Sequence, residues 1–176
     1  AAHGPVRTVV HAAGMWPAHS TIEDVIHNGL LGTARFLATC SQYLDSGSSA
    51  VVITCLTGRW SRLREDDHAA MAHVPLHDLL DLPFLAPDML GDPVTAYRVT
   101  QRANHLRARA ASCAWSSFGG RINTITTGTS QDVYPLATLD TGTPPGPSSP
   151  TPADIAIATK FLTSSAAESI NGADLL

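Results

Sequence analysis

Lysine is almost missing from this 176-residue chain: Lys160 is the only one, against ten arginines. Chemistry that needs an ammonium group therefore has a single position to draw on. Charge of either sign is scarce, with 15% charged residues and a net charge of −4. The arginines are spread along the chain, which excludes the basic face that a nucleic-acid binder needs. So low a charged fraction favours a globular protein that buries part of its surface in an oligomer. Aromatic residues make up only 6%, so the core must rest on Ala, Val, Leu and Ile. The three cysteines, Cys40, Cys55 and Cys113, have no C-x-x-C spacing and an odd count. That excludes a disulfide framework and reads as reduced, mostly buried thiols of a cytoplasmic protein. No apolar run approaches the roughly 20 residues of a membrane span. The opening, Ala1-Ala2-His3-Gly4-Pro5, has no leader pattern and no methionine, as expected of a segment cut from something longer.

What is present is an alternation of buried strands and amphipathic helices. Arg7-Thr8-Val9-Val10-His11 is a short β-branched run closed by a turn at Ala12-Ala13-Gly14. Residues 21–43 carry helical spacing, with Ser20 or Thr21 as cap and Glu23 and Asp24 in the first turn. Ser46-Gly47-Ser48-Ser49 reads as a loop before a second strand at 50–54. A long Ala- and Arg-rich helix follows at 95–115, then Gly119-Gly120 and a third strand at 121–125. A helix at 153–162 starts behind Pro152, and 173–176 is a last strand fragment. This rhythm implies βαβ crossovers, hence a parallel sheet, in a single domain spanning 1–176.

Two stretches break the rhythm. Residues 59–93 form an insertion with four prolines and the cluster Arg62-Leu63-Arg64-Glu65-Asp66-Asp67. Residues 141–152 are a Pro/Gly/Ser-rich loop. His68, His73 and His77 lie near Asp66 and Asp67, the one His/carboxylate cluster in the sequence. Pro75 between His73 and His77 argues against a regular helix there, so the cluster reads as a solvated loop and no metal is expected.

Several motifs fall in one recognisable order. They are Val10-His11-Ala12-Ala13-Gly14, then Val52-Ile53-Thr54-Cys55-Leu56-Thr57-Gly58, then the helix from Tyr97 to Arg109, then Arg121-Ile122-Asn123-Thr124-Ile125-Thr126-Thr127-Gly128. Pro152-Ala153-Asp154-Ile155-Ala156, Phe161-Leu162 and Ile170-Asn171-Gly172-Ala173 close the series. Together they resemble the short-chain dehydrogenases/reductases from the fourth strand onward. The insertion at 59–93 is similar to that of the bacterial hydroxysteroid dehydrogenase/carbonyl reductase-like branch. The resemblance implies an α/β fold, a parallel Rossmann-like sheet flanked by helices, lacking the first βαβαβ portion of the family fold.

In that family a tyrosine is the general acid or base, a lysine four residues later lowers its pKa and holds the nicotinamide ribose, and a serine binds the substrate oxygen. An asparagine in the preceding helix extends a proton relay. By position the resemblance places Tyr97 as the tyrosine, Gln101 at the lysine, Cys55 at the serine and Gly29 at the asparagine, with Asn28 beside it. It places Ala12, Ala13, Gly14, Thr127 and Gly128 in cofactor-binding turns. The family's Gly-x-x-x-Gly-x-Gly phosphate turn has no counterpart, because Gly29 and Gly32 lie in a helix pattern and Gly142 and Gly146 in the proline-rich loop. No cofactor is therefore expected from this chain alone, and NAD(P) only if an N-terminal segment is supplied.

An unassisted tyrosine has a pKa near 10, so base chemistry at pH 7 starts about 4 kcal/mol short. Two functions follow. One is a family member with a degenerate catalytic motif, non-redox or structural, working in a homo- or hetero-oligomer through helices 21–43 and 95–115, with a competent paralogous subunit as one candidate partner. The other is an NAD(P)-dependent oxidoreductase of a hydrophobic ketone or alcohol, steroid- or polyketide-like, seen without its cofactor-binding segment. For either, the edge of the strand at 7–11 is expected to be covered by a partner or by further residues.

Overall fold

The computed structural model describes residues 6–128 and 150–176. The part of the proline-rich loop at 141–149 lies outside these residues. Four strands, all parallel, make one sheet in sequence order: β1 (Val6–His11), β2 (Leu44–Cys55), β3 (Arg121–Thr127) and β4 (Asp174–Leu175). Between β1 and β2 the chain forms α1 (Ile22–Asp24), a π-helical stretch (Val25–Leu31) and α2 (Gly32–Cys40). The insertion holds α3 (Glu65–His73), α4 (Pro87–Leu90) and short 3-10 turns, and α5 (Pro93–Ser116) crosses back to β3. Last comes α6 (Pro152–Thr163), leading to β4.

The central strand explains why its sequence shows no polar alternation. Ala50, Val51 and Val52 are all fully buried because the sheet is covered on both faces. Ala50 and Val52 pack with Leu37, Ala108 and Trp115, on the side of α2 and α5. Val51 packs with Leu162 and Ala167, on the side of α6.

Three expectations change. The stretch at 46–49 belongs to β2 rather than to a loop: Gly47, at φ +82°, makes a bulge, and the pairing with β1 slips between Val6 and Thr8. The insertion is not a solvated loop, since Met71, Leu79, Leu85 and Leu90 are buried in the same cluster as Ala96, Tyr97 and Val99. Arg107 fastens it by donating from Nη1 to the carbonyls of Met71 and Val74, at 3.0 and 3.1 Å. Nor are the cysteines mostly buried: Cys40 and Cys55 are half-buried and Cys113 is exposed on α5.

The long helix starts two residues earlier than its spacing suggests. Asp92 caps it, taking the backbone N–H groups of Val94 and Thr95 at 2.8 and 2.9 Å, with Pro93 in the first turn. Arg121, at the start of β3, is buried and donates to the carbonyls of Leu162, Ser164 and Ala167. It thereby ties the foot of the sheet to the end of α6. No helix among the described residues is long and apolar enough to cross a membrane.

Candidate functional site

The carboxyl ends of the strands gather the family-position residues. Cys55 is the last residue of β2 and pairs in register with Thr127 of β3, while His11 of β1 pairs with Val52. Ala12, Ala13 and Gly14 leave the end of β1 as an exposed turn, and half-buried Thr127 and Gly128 leave the end of β3. Thr127 is pinned by its hydroxyl, which donates to the Thr54 carbonyl at 3.1 Å. The crevice outside the carboxyl ends is where open α/β sheets bind ligands.

Helix α5 runs above these ends and presents Tyr97 and Gln101 one turn apart. Gln101 is buried, and its Oε1 accepts the backbone N–H of Cys55 at 2.9 Å. The segment after Cys55 lies flat on the helix: a Cβ on Gly58 would fall 2.7 Å from the Arg102 backbone nitrogen. Cys55 and Gln101 are thus in direct contact. Tyr97 belongs to the core cluster against which Cys55 packs, at 9% exposure, with Trp16 edge-on at 6.1 Å between ring centroids. Trp16 follows the Ala12–Gly14 turn, so the segment after β1 packs against the tyrosine.

Gly29 sits inside the π-helical stretch, against α5. Its carbonyl accepts from Thr33 Oγ1 at 2.7 Å and from Asn104 Nδ2 at 3.2 Å. A Cβ there would come within 2.9 Å of Thr100 Cγ2, so the close helix crossing requires glycine. Asn28 faces solvent and donates to the Asp24 carbonyl at 3.0 Å, away from the tyrosine. His68 ends up near the site, but His73 ends α3 before Pro75, and His77 pairs with Asp78 at 3.3 Å. No group of three or more His, Cys, Asp or Glu residues able to hold a metal occurs among the described residues.

A cavity of about 350 Å³ adjoins Cys55 and Gln101, with Arg59, Arg102, His105, Thr126 and Asp174 among its walls. Tyr97 does not line it. Asp174 is its centre: Oδ1 accepts from Thr124 and Thr126, each at 2.7 Å, and Oδ2 lies 3.6 Å from Arg59 and 3.7 Å from His105. Burial lowers the His105 pKa below its ordinary value; Asp174 opposes this, and Arg102, Arg109 and Arg59 add to it. The sequence held one signal for this group, the i,i+4 spacing of Gln101 and His105 on α5. Asp174 and Arg59 are too far away in the chain for spacing to join them.

Among the described residues, the starts of α1, α5 and α6 do not suit a dinucleotide pyrophosphate. That group needs free backbone N–H groups at a helix start. Helices α1, α5 and α6 each begin with their own aspartate: Asp24 and Asp154 close capping boxes with Thr21 and Thr151, and Asp92 takes the first amides of α5. A carboxylate at each start repels phosphate.

The chain is 33% identical over 140 residues to a short-chain dehydrogenase/reductase, bsc3, of Alternaria brassicicola; the match takes in 78% of this chain and 50% of that relative. It belongs to the short-chain dehydrogenase/reductase family. The chain spans about half the length of this curated relative. The family's fold is matched by the 3-alpha-hydroxysteroid dehydrogenase of Pseudomonas sp. B-0831, solved with NADH. There the TM-score is 0.75 at 19% identity, over 96% of this chain and 70% of that one. BdcA, solved with NADPH, matches with TM-score 0.61 at 14% identity, over 98% of this chain and 64% of that one. No family model matches the chain.

Proposed function

We propose that this chain is a non-redox member of the short-chain dehydrogenase/reductase family, with its former catalytic corner built into the scaffold. The observation that carries this is the bond from the Cys55 N–H to Gln101 Oε1. At the family's lysine position stands a neutral amide whose carbonyl is engaged in holding the end of β2. It brings no positive charge toward Tyr97, and the chain's one lysine lies exposed on α6. Cys55, at the serine position, is a weaker hydrogen-bond donor. The protein works as a single domain with the 59–93 insertion, in the cytoplasm, in a homo- or hetero-oligomer through helices 21–43 and 95–115. A competent paralogous subunit is one such partner, and a hydrophobic small molecule its ligand; neither nucleic acid nor a membrane is required. The β1 edge, where Val6 and Val10 are 44% and 45% exposed, is covered in that assembly.

A second reading is supported by the meeting of Tyr97, Cys55 and Gln101 at the strand ends and by the dehydrogenase names of the relatives. It is an NAD(P)-dependent ketone or alcohol oxidoreductase whose nucleotide site comes from a preceding segment. Titration of the full-length protein, with any preceding segment and its partners present, with NADH and NADPH, followed by nicotinamide fluorescence, separates the two. The non-redox reading expects no saturable change, and no ketone reduction by a C55S/Q101K variant. Saturable binding together with reduction by that variant would sink it.

A further inference from the structure

Beside the tyrosine corner, the cavity around Asp174 has an excess of positive charge that its own residues do not balance. Asp174 already has its full set of partners in Thr124, Thr126, Arg59 and His105. Its one negative charge faces two guanidinium groups, those of Arg59 and Arg102. Arg59 takes up that charge at 3.6 Å, with about half its side chain exposed. Arg102 is half-buried and forms no ion pair or side-chain hydrogen bond among the described residues. A guanidinium on a cavity wall with no acceptor of its own is free to take an incoming anion. Gln101, its carbonyl committed to Cys55, has only its amide N–H groups left to offer a guest, and these too are donors. The volume of about 350 Å³ lies at the small end of ligand sites, which run from roughly 300 to 1,000 Å³.

We propose that this cavity binds the oxyanion group of a small molecule, a carboxylate or a phosphate, with Arg102 as the main contact and Arg59 as the second. A planar guanidinium suits both groups through paired N–H donors. The site is separate from the Tyr97 ring and does not depend on whether a nucleotide binds, so it stands or falls independently of the non-redox reading.

The test is a titration of the protein at constant ionic strength with sodium acetate in one arm and inorganic phosphate in the other. It is read by NMR on the His105 imidazole, which borders the cavity. A saturable shift in one or both arms is expected, and the arm that saturates at lower concentration names the oxyanion. R102Q should weaken binding at least tenfold, and R35Q, an exposed arginine on α2, should leave it unchanged. D174N removes the competing carboxylate while keeping an acceptor for Thr124 and Thr126, and should tighten binding several-fold. Unmoved His105 signals, an equal response to chloride, or R102Q binding like the parent would overturn the proposal. If R102Q does not fold, D174N decides, and a failure to tighten overturns it as well.

Discussion

Gln101 on α5 and Cys55 at the end of β2 are joined by a hydrogen bond in which the side-chain carbonyl takes a backbone N–H at 2.9 Å. A lysine at that position could not make this bond, because an ammonium group donates only. The glutamine is therefore more than a lost charge. It answers a main-chain donor at the point where β2 turns to lie along the helix, so position 101 serves the scaffold.

Replacing Gln101 by lysine should accordingly destabilise the fold, whatever it does for activity. Both Q101K and Q101M leave the partly buried Cys55 N–H without its acceptor, which costs about 1–3 kcal/mol. Urea unfolding should show a lower midpoint with an unchanged slope. A Q101K protein as stable as the parent would mean that another group takes over the N–H.

At the crossing of the π-helical stretch and α5, Gly29 leaves no room for a side chain. A G29A change puts a Cβ 2.9 Å from Thr100 Cγ2, and overpacking of this kind costs about 1–3 kcal/mol. G29N, which restores the family's asparagine, should cost more, since its larger side chain enters the same gap. T100S removes the obstructing methyl, so the G29A/T100S pair should be more stable than G29A alone. Equal stability of the two would place the strain elsewhere.

The sheet was legible because its strands bury both faces: the Ala50-Val51-Val52 run has one reading in a chain whose helices alternate with strands. Tyr97 and its neighbours were legible through the family order of motifs. The packing of the insertion was not, because Leu79, Leu85 and Leu90 come from separate short turns broken by Pro83 and Pro87, with no shared period. Nor was the start of β2, where Ser46-Gly47-Ser48-Ser49 has loop composition and is held in the strand by distant partners, Gly47 N–H donating to the Gly119 carbonyl and Ser48 Oγ to that of Val6. The Asp174 cavity was hidden for another reason. Its walls come from the segment after β2, from α5 and from β4, and only the fold brings them together.

Arg121 offers a test of what holds α6 in place. Its guanidinium is buried and serves three carbonyls, those of Leu162, Ser164 and Ala167, with no carboxylate among its hydrogen-bond partners. R121M fills the space but takes the guanidinium from the Leu162 and Ser164 carbonyls and leaves the Ala167 carbonyl only the Ile170 N–H, and should cost about 2–4 kcal/mol. R121K keeps the charge but not the fork and should fall between the two. Chemical denaturation gives the order; R121M as stable as the parent would show that α6 is held by its apolar contacts alone.

Stability should also fall on mild acidification, through two histidines. Burial lowers the folded-state pKa of His11 below 6.5. Burial also lowers that of His105; Asp174 opposes it, and Arg102, Arg109 and Arg59 reinforce it. Each imidazole is thus held neutral in the fold more firmly than in the unfolded chain. As pH drops below 6.5 the unfolded chain takes up the protons first, and stability declines until the folded-state pKa values are reached. Above 6.5 this contribution is complete and flat. Asp24, Asp92 and Asp154, whose pKa values lie below the ordinary 3.8, act in the same direction but only in stronger acid. Urea unfolding at about pH 7.5 and about pH 5.5 therefore isolates the histidines, and the lower pH should give the lower midpoint. An H11Q/H105Q variant should lose most of that difference. The same midpoint for the parent at both pH values would show that neither imidazole is held neutral by the fold.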